Sequence, residues 1–334
     1  MAAGEERALR RRIRSVNSTR KITRAMELIS SSRIAKAQHA IVATRPYLQG
    51  MRDLLSGLAD NLEARKHPIF AESSEIRGVV VVVLAADRGL CGAYNSNVLR
   101  SAERLAKSHM DAGRSCTLIV IGKKAQNYFR YRGYDVERSF LGLTDKPVFG
   151  DAGKIASSIS EAMSQEGVDL VQIVYTRFMS LGTQAVVTEQ VFPIVSESAD
   201  SSESSITDSS SSAGSSAVSS ANSTGSGGQS QSGGTAQSQH AAGSIHLLHV
   251  DFEFEPDAGE LLDDLVPKAI ETLVYGALLD ASASEHASRH RAMKAATDNA
   301  DEFAKSLTRQ MNRARQDSIT TEIMEIVGGA EALG

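Results

Sequence analysis

Two stretches almost free of helix breakers bracket this chain, and their length limits the folds open to it. From about Glu5 to about Leu62 the only proline is Pro46 and the only glycines are Gly50 and Gly57, while apolar residues recur at helical spacing. The stripe Leu9, Ile13, Val16, Ile22, Met26, Ile29 predicts one long helix, with small Thr19 in its gap of six, and Leu48, Met51, Leu55, Leu58 and Leu62 resume it. Pro46 removes one backbone hydrogen bond, which predicts a kink there. After Glu255-Pro256-Asp257 a second helical pattern runs to Gly328-Gly329, with Pro267 as its interior breaker. At 1.5 Å per residue the two helices would span roughly 85 and 100 Å. A body built from the roughly 170 remaining ordered residues is only some 35 to 45 Å across, so the helices must reach beyond it. In the distal part of the second helix Met293, Ala296, Ala300, Phe303, Leu307, Met311 and Ala314 step by threes and fours, which is close to a heptad seam. Two such helices can wrap around each other as a coiled coil.

Between them the pattern changes at Arg77. Gly78 to Leu84 is a β-branched run bounded by glycine and by Ala-Ala-Asp-Arg-Gly, as expected of a strand buried on both faces. A helix over Asn95–Met110, a strand over Ser115–Gly122, a helix over Lys123–Tyr131 and a helix over Asp151–Glu166 follow. Strands over Asp169–Arg177, Gln184–Pro193 and Ile245–Phe254 complete the reading. This alternation predicts an α/β body with a mostly parallel, Rossmann-like sheet. The full expectation is therefore that body plus a long antiparallel coiled coil of the N- and C-terminal helices. Residues 1–65 and 257–329 form the shaft, and 76–195 with 245–256 form the body. Residues 196–244 are almost wholly Ser, Gly, Ala, Gln and Thr, a composition that cannot offset its own ordering entropy; they are expected to be a disordered insertion whose removal leaves the fold intact.

Charge narrows the possible partners. The net charge of −4 equals the four acidic residues of the insertion, Glu197, Asp200, Glu203 and Asp208, so the rest of the chain is balanced. Residues 1–24 carry eight basic against two acidic side chains, a net +6 that seeks an acidic partner. Nucleic acid is disfavoured as that partner, because no aromatics interleave with the charges and the chain as a whole is not basic. No run approaches the roughly 18 to 20 apolar residues of a membrane span, so membrane contact is expected to be indirect. The first residues lack the apolar stretch of a secretory signal, and two cysteines without metal-type spacing suit a reducing compartment.

No motif for chemistry survives inspection. Asp87-Arg-Gly-Leu-Cys-Gly-Ala93 between a strand and a helix is placed like a phosphate loop, but its glycines fit neither G-x-G-x-x-G nor the Walker pattern. A tight turn where helix packs on strand is the favoured reading. His286 and His290 lie four apart on a helix, yet no Glu completes H-E-x-x-H and no third ligand is evident, so a solvated helix face is expected. Cys91 has no histidine nearby in sequence to activate it. The C-terminal tip, by contrast, carries Ile319, Ile323, Ile326 and Val327 with nothing in the first helix to match them, and an uncovered apolar tip calls for a surrounding partner.

Several segments resemble the gamma subunit of F-type ATP synthases: Ile13–Leu28, the Asp87–Asn95 turn, Phe254-Glu-Pro-Asp257, Ala292-Met-Lys-Ala-Ala-Thr-Asp-Asn299 and Asn312–Gly329. The resemblance covers both ends and the centre, leaving out the serine-rich insertion. It implies a non-catalytic central-stalk rotor that couples the turning of a proton-driven membrane ring to the catalytic subunits, without a cofactor. The implied partners are the alpha and beta subunits of the catalytic ring, the epsilon subunit and the membrane c-ring. The implied location is peripheral, on the cytoplasmic face of a bacterial plasma membrane. By similarity Met26, Arg289, Arg315, Gln316, Thr320, Glu322 and Glu325 would be shaft residues that touch the ring or affect coupling. The chain departs from many relatives at Met311, where they have tyrosine, and at Ala35, where they have a basic residue. Plastid relatives carry a dithiol segment near the position of the insertion, which here contains no cysteine, so a thiol switch does not carry over. The readings from other classes are an α/β nucleotide-binding enzyme and a static coiled-coil scaffold.

Overall fold

The computed structural model describes residues 2–59, 67–70, 75–164, 167–194 and 258–333. The insertion, the strand expected over Ile245–Phe254, the Phe254–Asp257 segment and Leu62 lie outside them. Eleven elements follow in order: α1 (Ala2–Ala59), a 3-10 turn (Pro68–Phe70), β1 (Gly78–Leu84), α2 (Tyr94–Asp111), β2 (Ser115–Ile121), α3 (Lys123–Tyr131), β3 (Val136–Phe140), α4 (Phe149–Met163), β4 (Leu170–Phe178), β5 (Gln184–Phe192) and α5 (Ala258–Leu333).

The strands form one sheet in the order β3-β2-β1-β4-β5. The first four are parallel, and β5 returns antiparallel to β4. All seven residues of β1 are buried, because the strand is central and both its faces are covered. Val79, Val81 and Val83 point to one face, where Val98, Leu99, Ala102 and Ala106 of α2 and Phe129 of α3 close the core. Strand β3 was not expected from the sequence: Val136-Glu-Arg-Ser-Phe140 is a short edge strand with charges facing outward, and such strands lack a strong apolar signal. Gly122, between β2 and α3, has φ 94° and packs so tightly that a Cβ would run into the Ala85 carbonyl.

Both long helices are continuous. Pro46 lies inside α1 and Pro267 inside α5. The C-terminal helix also passes through Gly328-Gly329, where the sequence reading stopped it, and ends at Leu333. The two pair antiparallel: Thr23 Oγ1 lies 2.8 Å from Thr297 Oγ1, Arg20 reaches Asp301, and Met51 and Leu55 pack with Ala269. Leu48 packs directly on Gly276 of α5, where a Cβ would lie 2.9 Å from Leu48 Cδ1 and the leucine side chain would have to move aside.

The seam differs from the stripe expected. On α1 the covered positions are Leu9, Ile13, Val16, Arg20, Thr23, Glu27, Ser30 and Ile34, then Ala37, Ile41, Thr44, Leu48, Met51, Leu55 and Leu58, in an unbroken alternation of steps of four and three. Ile22 and Ile29 face outward, and the seam beside them is polar. On α5 the seam is Met293, Thr297, Ala300, Ala304, Leu307, Met311, Ala314 and Ser318. Phe303 is off it, half exposed under the guanidinium of Arg12. Following apolar residues misplaced the stripe because hydrogen-bonded threonines and an ion pair replace the hydrophobes in this part of the rod.

Candidate functional site

The antiparallel register sets how far α5 extends. With Thr23 opposite Thr297 and Arg20 opposite Asp301, the start of α1 falls opposite the region of Ile319. The residues beyond, Thr320–Leu333, have no α1 partner and prolong the rod by roughly 20 Å. Every described side chain from Ile319 to Ala330 is exposed. Among them Ile323 is 54% exposed, Ile326 72%, and Ile319, Met324 and Val327 are comparable. Five large apolar side chains on one uncovered helix end are costly in water and form a surface made to be covered.

The opposite situation holds where α5 crosses the sheet. Its residues Ala281 to Ala287 are all buried. Ser284 Oγ donates to the Thr176 carbonyl of β4 at 3.0 Å, and Tyr94 of α2 donates to the Ala281 carbonyl at 3.2 Å. Glu285, 1% exposed, accepts from Arg289 Nη2 at 2.5 Å, and Arg289 is itself 5% exposed. The same guanidinium reaches the Gly89 carbonyl and His286 Nδ1. His286 Nε2 lies 3.2 Å from the Asp145 carbonyl, and the Asp145 carboxylate pairs with Arg33 of α1 at 2.5 Å. One connected polar cluster thus ties both long helices to the turn after β1 and to the loop before α4. Burial pushes the Glu285 carboxyl up, against the pull of Arg289, and pushes the His286 imidazole down.

The Asp87–Ala93 turn is used up by the fold. Asp87 accepts from Lys123 N at 3.0 Å and from the Thr144 hydroxyl at 3.1 Å, and Asn95 Oδ1 accepts from Ala86 N at 2.9 Å. Leu90 and Gly92 take positive φ, which bends the chain back under Arg289. Cys91 is buried, its sulfur accepting from Asn95 Nδ2, and burial pushes its thiol up rather than activating it. His286 is buried, which corrects the expectation of a solvated face, and it bonds a loop instead of a metal. His246 and His249 lie outside the described residues. No cluster of three His, Cys, Asp or Glu able to hold a metal occurs among the described residues.

The seven residues singled out by resemblance do not gather into one site. Arg315, Gln316, Thr320, Glu322 and Glu325 are exposed along the far third of α5, with the Thr320 hydroxyl bonded to the Gln316 carbonyl at 3.0 Å. Met26 is half buried on α1, where its carbonyl accepts from Ser30. Arg289 is set apart, pointing into the protein as the hub of the buried cluster. The sequence reading missed Glu285, Asp145 and Arg33. The i, i+4 spacing of Glu285 and Arg289 was the available signal for the first of them.

Comparison with known proteins places this arrangement. A family model described as ATP synthase matches residues 5–333. The ATP synthase gamma chain of Saccharopolyspora erythraea is 38% identical over 341 residues, covering 98% of this chain and 97% of its own. That of Mycolicibacterium smegmatis is 39% identical with the same coverage. Among solved structures, a chain of the Euglena gracilis mitochondrial ATP synthase assembly of OSCP, F1 and c-ring shares the fold with a TM-score of 0.62 at 18% identity, covering 99% of this chain and 95% of its own. A chain of the Tetrahymena thermophila mitochondrial ATP synthase central stalk and c-ring gives 0.53 at 20% identity, over 82% and 99%.

Proposed function

This chain belongs to the gamma-chain family of the ATP synthases, and on that premise we propose that it is the central-stalk rotor of a proton-translocating ATP synthase. In this role it carries no catalytic residue of its own. The free end of α5 sits inside the ring of alpha and beta subunits, and the sheet end contacts the epsilon subunit and the c-ring. The observation that carries the reading is the exposed apolar end of α5 beyond the reach of α1. A surrounding ring of subunits is the partner that covers such an end on all sides.

The work done at the ring is differential contact. A rod that is asymmetric about its axis offers each surrounding site a different surface, and turning it shifts each site between states. Arg315, Gln316, Thr320, Glu322, Glu325 and Met26 are the contact residues in this reading, and the net +6 of residues 1–24 complements acidic faces. Arg289 acts as a positioning residue that holds rod to sheet, so that torque passes between them. Among the described residues no helix is long and apolar enough to cross a membrane, which agrees with a peripheral subunit. Its place is the cytoplasmic face of the plasma membrane.

The test is a reversible crosslink. Leu28 is exposed in the middle of the shaft. A Leu28→Cys variant joined by a disulfide to a catalytic-ring subunit should abolish ATP synthesis, and reductant should restore it. Undiminished synthesis in the crosslinked complex would leave a static scaffold as the better account.

A further inference from the structure

The two ring nitrogens of His286, a side chain only 3% exposed where α5 crosses the sheet, have fixed and opposite roles. Nδ1 faces Arg289 Nη1 at 3.2 Å, and a guanidinium nitrogen can only donate. Nε2 faces the Asp145 carbonyl at 3.2 Å, and a carbonyl can only accept. The ring therefore carries its one proton on Nε2 and offers the lone pair of Nδ1 to Arg289. A second proton has no place in this arrangement, because a protonated Nδ1 would set N–H against N–H and one cation against another.

The elements packed around the ring supply the charges that decide its protonation. Arg33 comes from α1, Asp145 from the loop before α4, and Glu285 and Arg289 from α5 itself. Cys91 of the turn after β1 and Tyr94 of α2 face Glu285 and Arg289 from the other side. The Asp145 carboxylate stands 3.7 Å from Nε2, but it is already paired with Arg33 at 2.5 Å and so compensates little for a charge on the ring. Burial, helped by Arg289, outweighs Asp145 and holds the imidazole below its ordinary value of 6.5.

A second arrangement for Arg289 is built in beside the first. Its Nη2 bonds Glu285 Oε1 at 2.5 Å, while Glu285 Oε2, on a residue 1% exposed, has no hydrogen-bond partner among the described residues. Thr144 faces this carboxylate, but its hydroxyl is spent on Asp87 at 3.1 Å. A guanidinium pushed off His286, and off the Gly89 carbonyl that it reaches at 3.4 Å, has that oxygen to turn to. A two-pronged pair with a carboxylate is among the stronger contacts an arginine makes. Giving up Gly89 frees the turn after β1 from α5.

We propose that His286 is an acid-sensitive lock: neutral, it holds Arg289 against the Gly89 turn, and protonated, it sends Arg289 wholly to Glu285 and lets the turn come away from α5. The inference concerns the single chain and stands whether or not that chain turns inside a ring. By linkage, the unfolded chain binds this proton at the ordinary 6.5 and the folded chain only below it, so the locked form loses stability as pH falls through that range.

Hydrogen exchange of the full-length protein, read by mass spectrometry on peptides from the 86–95 turn and from β1, tests the lock against His286→Gln. Glutamine can accept from Arg289 and donate to the Asp145 carbonyl, but it takes up no proton. Comparing the two proteins at each pH cancels the intrinsic pH dependence of exchange. At about pH 7.5 the turn should exchange alike in both, and at about pH 5 it should exchange at least about threefold faster in the wild type, with β1 unchanged. The wild type alone gives a second reading that does not depend on how the variant folds: the assigned imidazole NMR signal of His286 should titrate with the same midpoint as the exchange of the turn. Turn exchange that matches in the two proteins at both pH values overturns the proposal. So does an acceleration that includes β1 to the same degree, or an imidazole that titrates apart from the turn.

Discussion

One helix, α5, passes through two environments that invert the usual rule of apolar inside and charged outside. Around residues 281–289 it buries Glu285, His286 and Arg289 under the sheet, and around 319–327 it exposes five large apolar side chains. The Arg289 guanidinium is satisfied within the chain by Glu285, His286 and the Gly89 carbonyl, and His286 by the Asp145 carbonyl, while Glu285 Oε2 has no hydrogen-bond partner among the described residues. The exposed hydrophobes are covered by nothing among the described residues. The first region therefore belongs to the stability of the single protein, and the second to its assembly with others.

Substitutions at the two ends should separate those roles. Arg289→Met leaves Glu285 buried without its counter-charge and should cost about 3–5 kcal/mol in denaturant unfolding of the isolated chain. The double variant Glu285→Met/Arg289→Met should recover most of that loss, because it removes the unpaired charge along with the pair. At the tip, Ile323→Ser should change the stability of the isolated chain by no more than about 0.5 kcal/mol, since the side chain is already in water. Its effect should appear as reduced ATP synthesis in the assembled complex, and a tip substitution that unfolds the free chain while leaving the complex unaffected would invert the comparison.

A smaller, pH-dependent effect is expected at Asp280 of α5, near Arg177 and Glu189 of the sheet. Burial pushes its carboxyl up to about 6, against the pull of Arg177 and Arg45. Between its ordinary value of 3.8 and about 6 the folded chain holds a proton that the unfolded chain has released, so stability falls as pH rises through that window and stays lowered above it. Asp280→Asn removes this penalty. Its urea midpoint should exceed the wild type at pH 8, with the gap closing near pH 4.

The sequence revealed the architecture because helix length and buried β-branched runs are strong signals. Gly78–Leu84 and Lys123–Tyr131 were read to the residue. The exposed tip was equally plain, since Ile319, Ile323 and Ile326 recur with nothing opposite them. What escaped was whatever depended on pairing across the chain. The seam through Arg20 and Thr23 carries no apolar signal, and its logic becomes visible only once Asp301 and Thr297 are beside them. The buried cluster joins Arg33, Asp145 and Glu285 from three distant segments, and each looks like an ordinary surface charge in the sequence. Arg289 was marked by resemblance alone, and its inward direction follows from the fold.

The central claim is that this chain turns as a unit inside a ring held at the tip of α5. It is tested most directly by fixing complexes through their catalytic subunits and following the orientation of a probe on Tyr131→Cys, a position 90% exposed on α3. Rotation in one direction that depends on ATP is the predicted result. A probe that keeps a fixed orientation while the same complexes hydrolyse ATP would contradict the account.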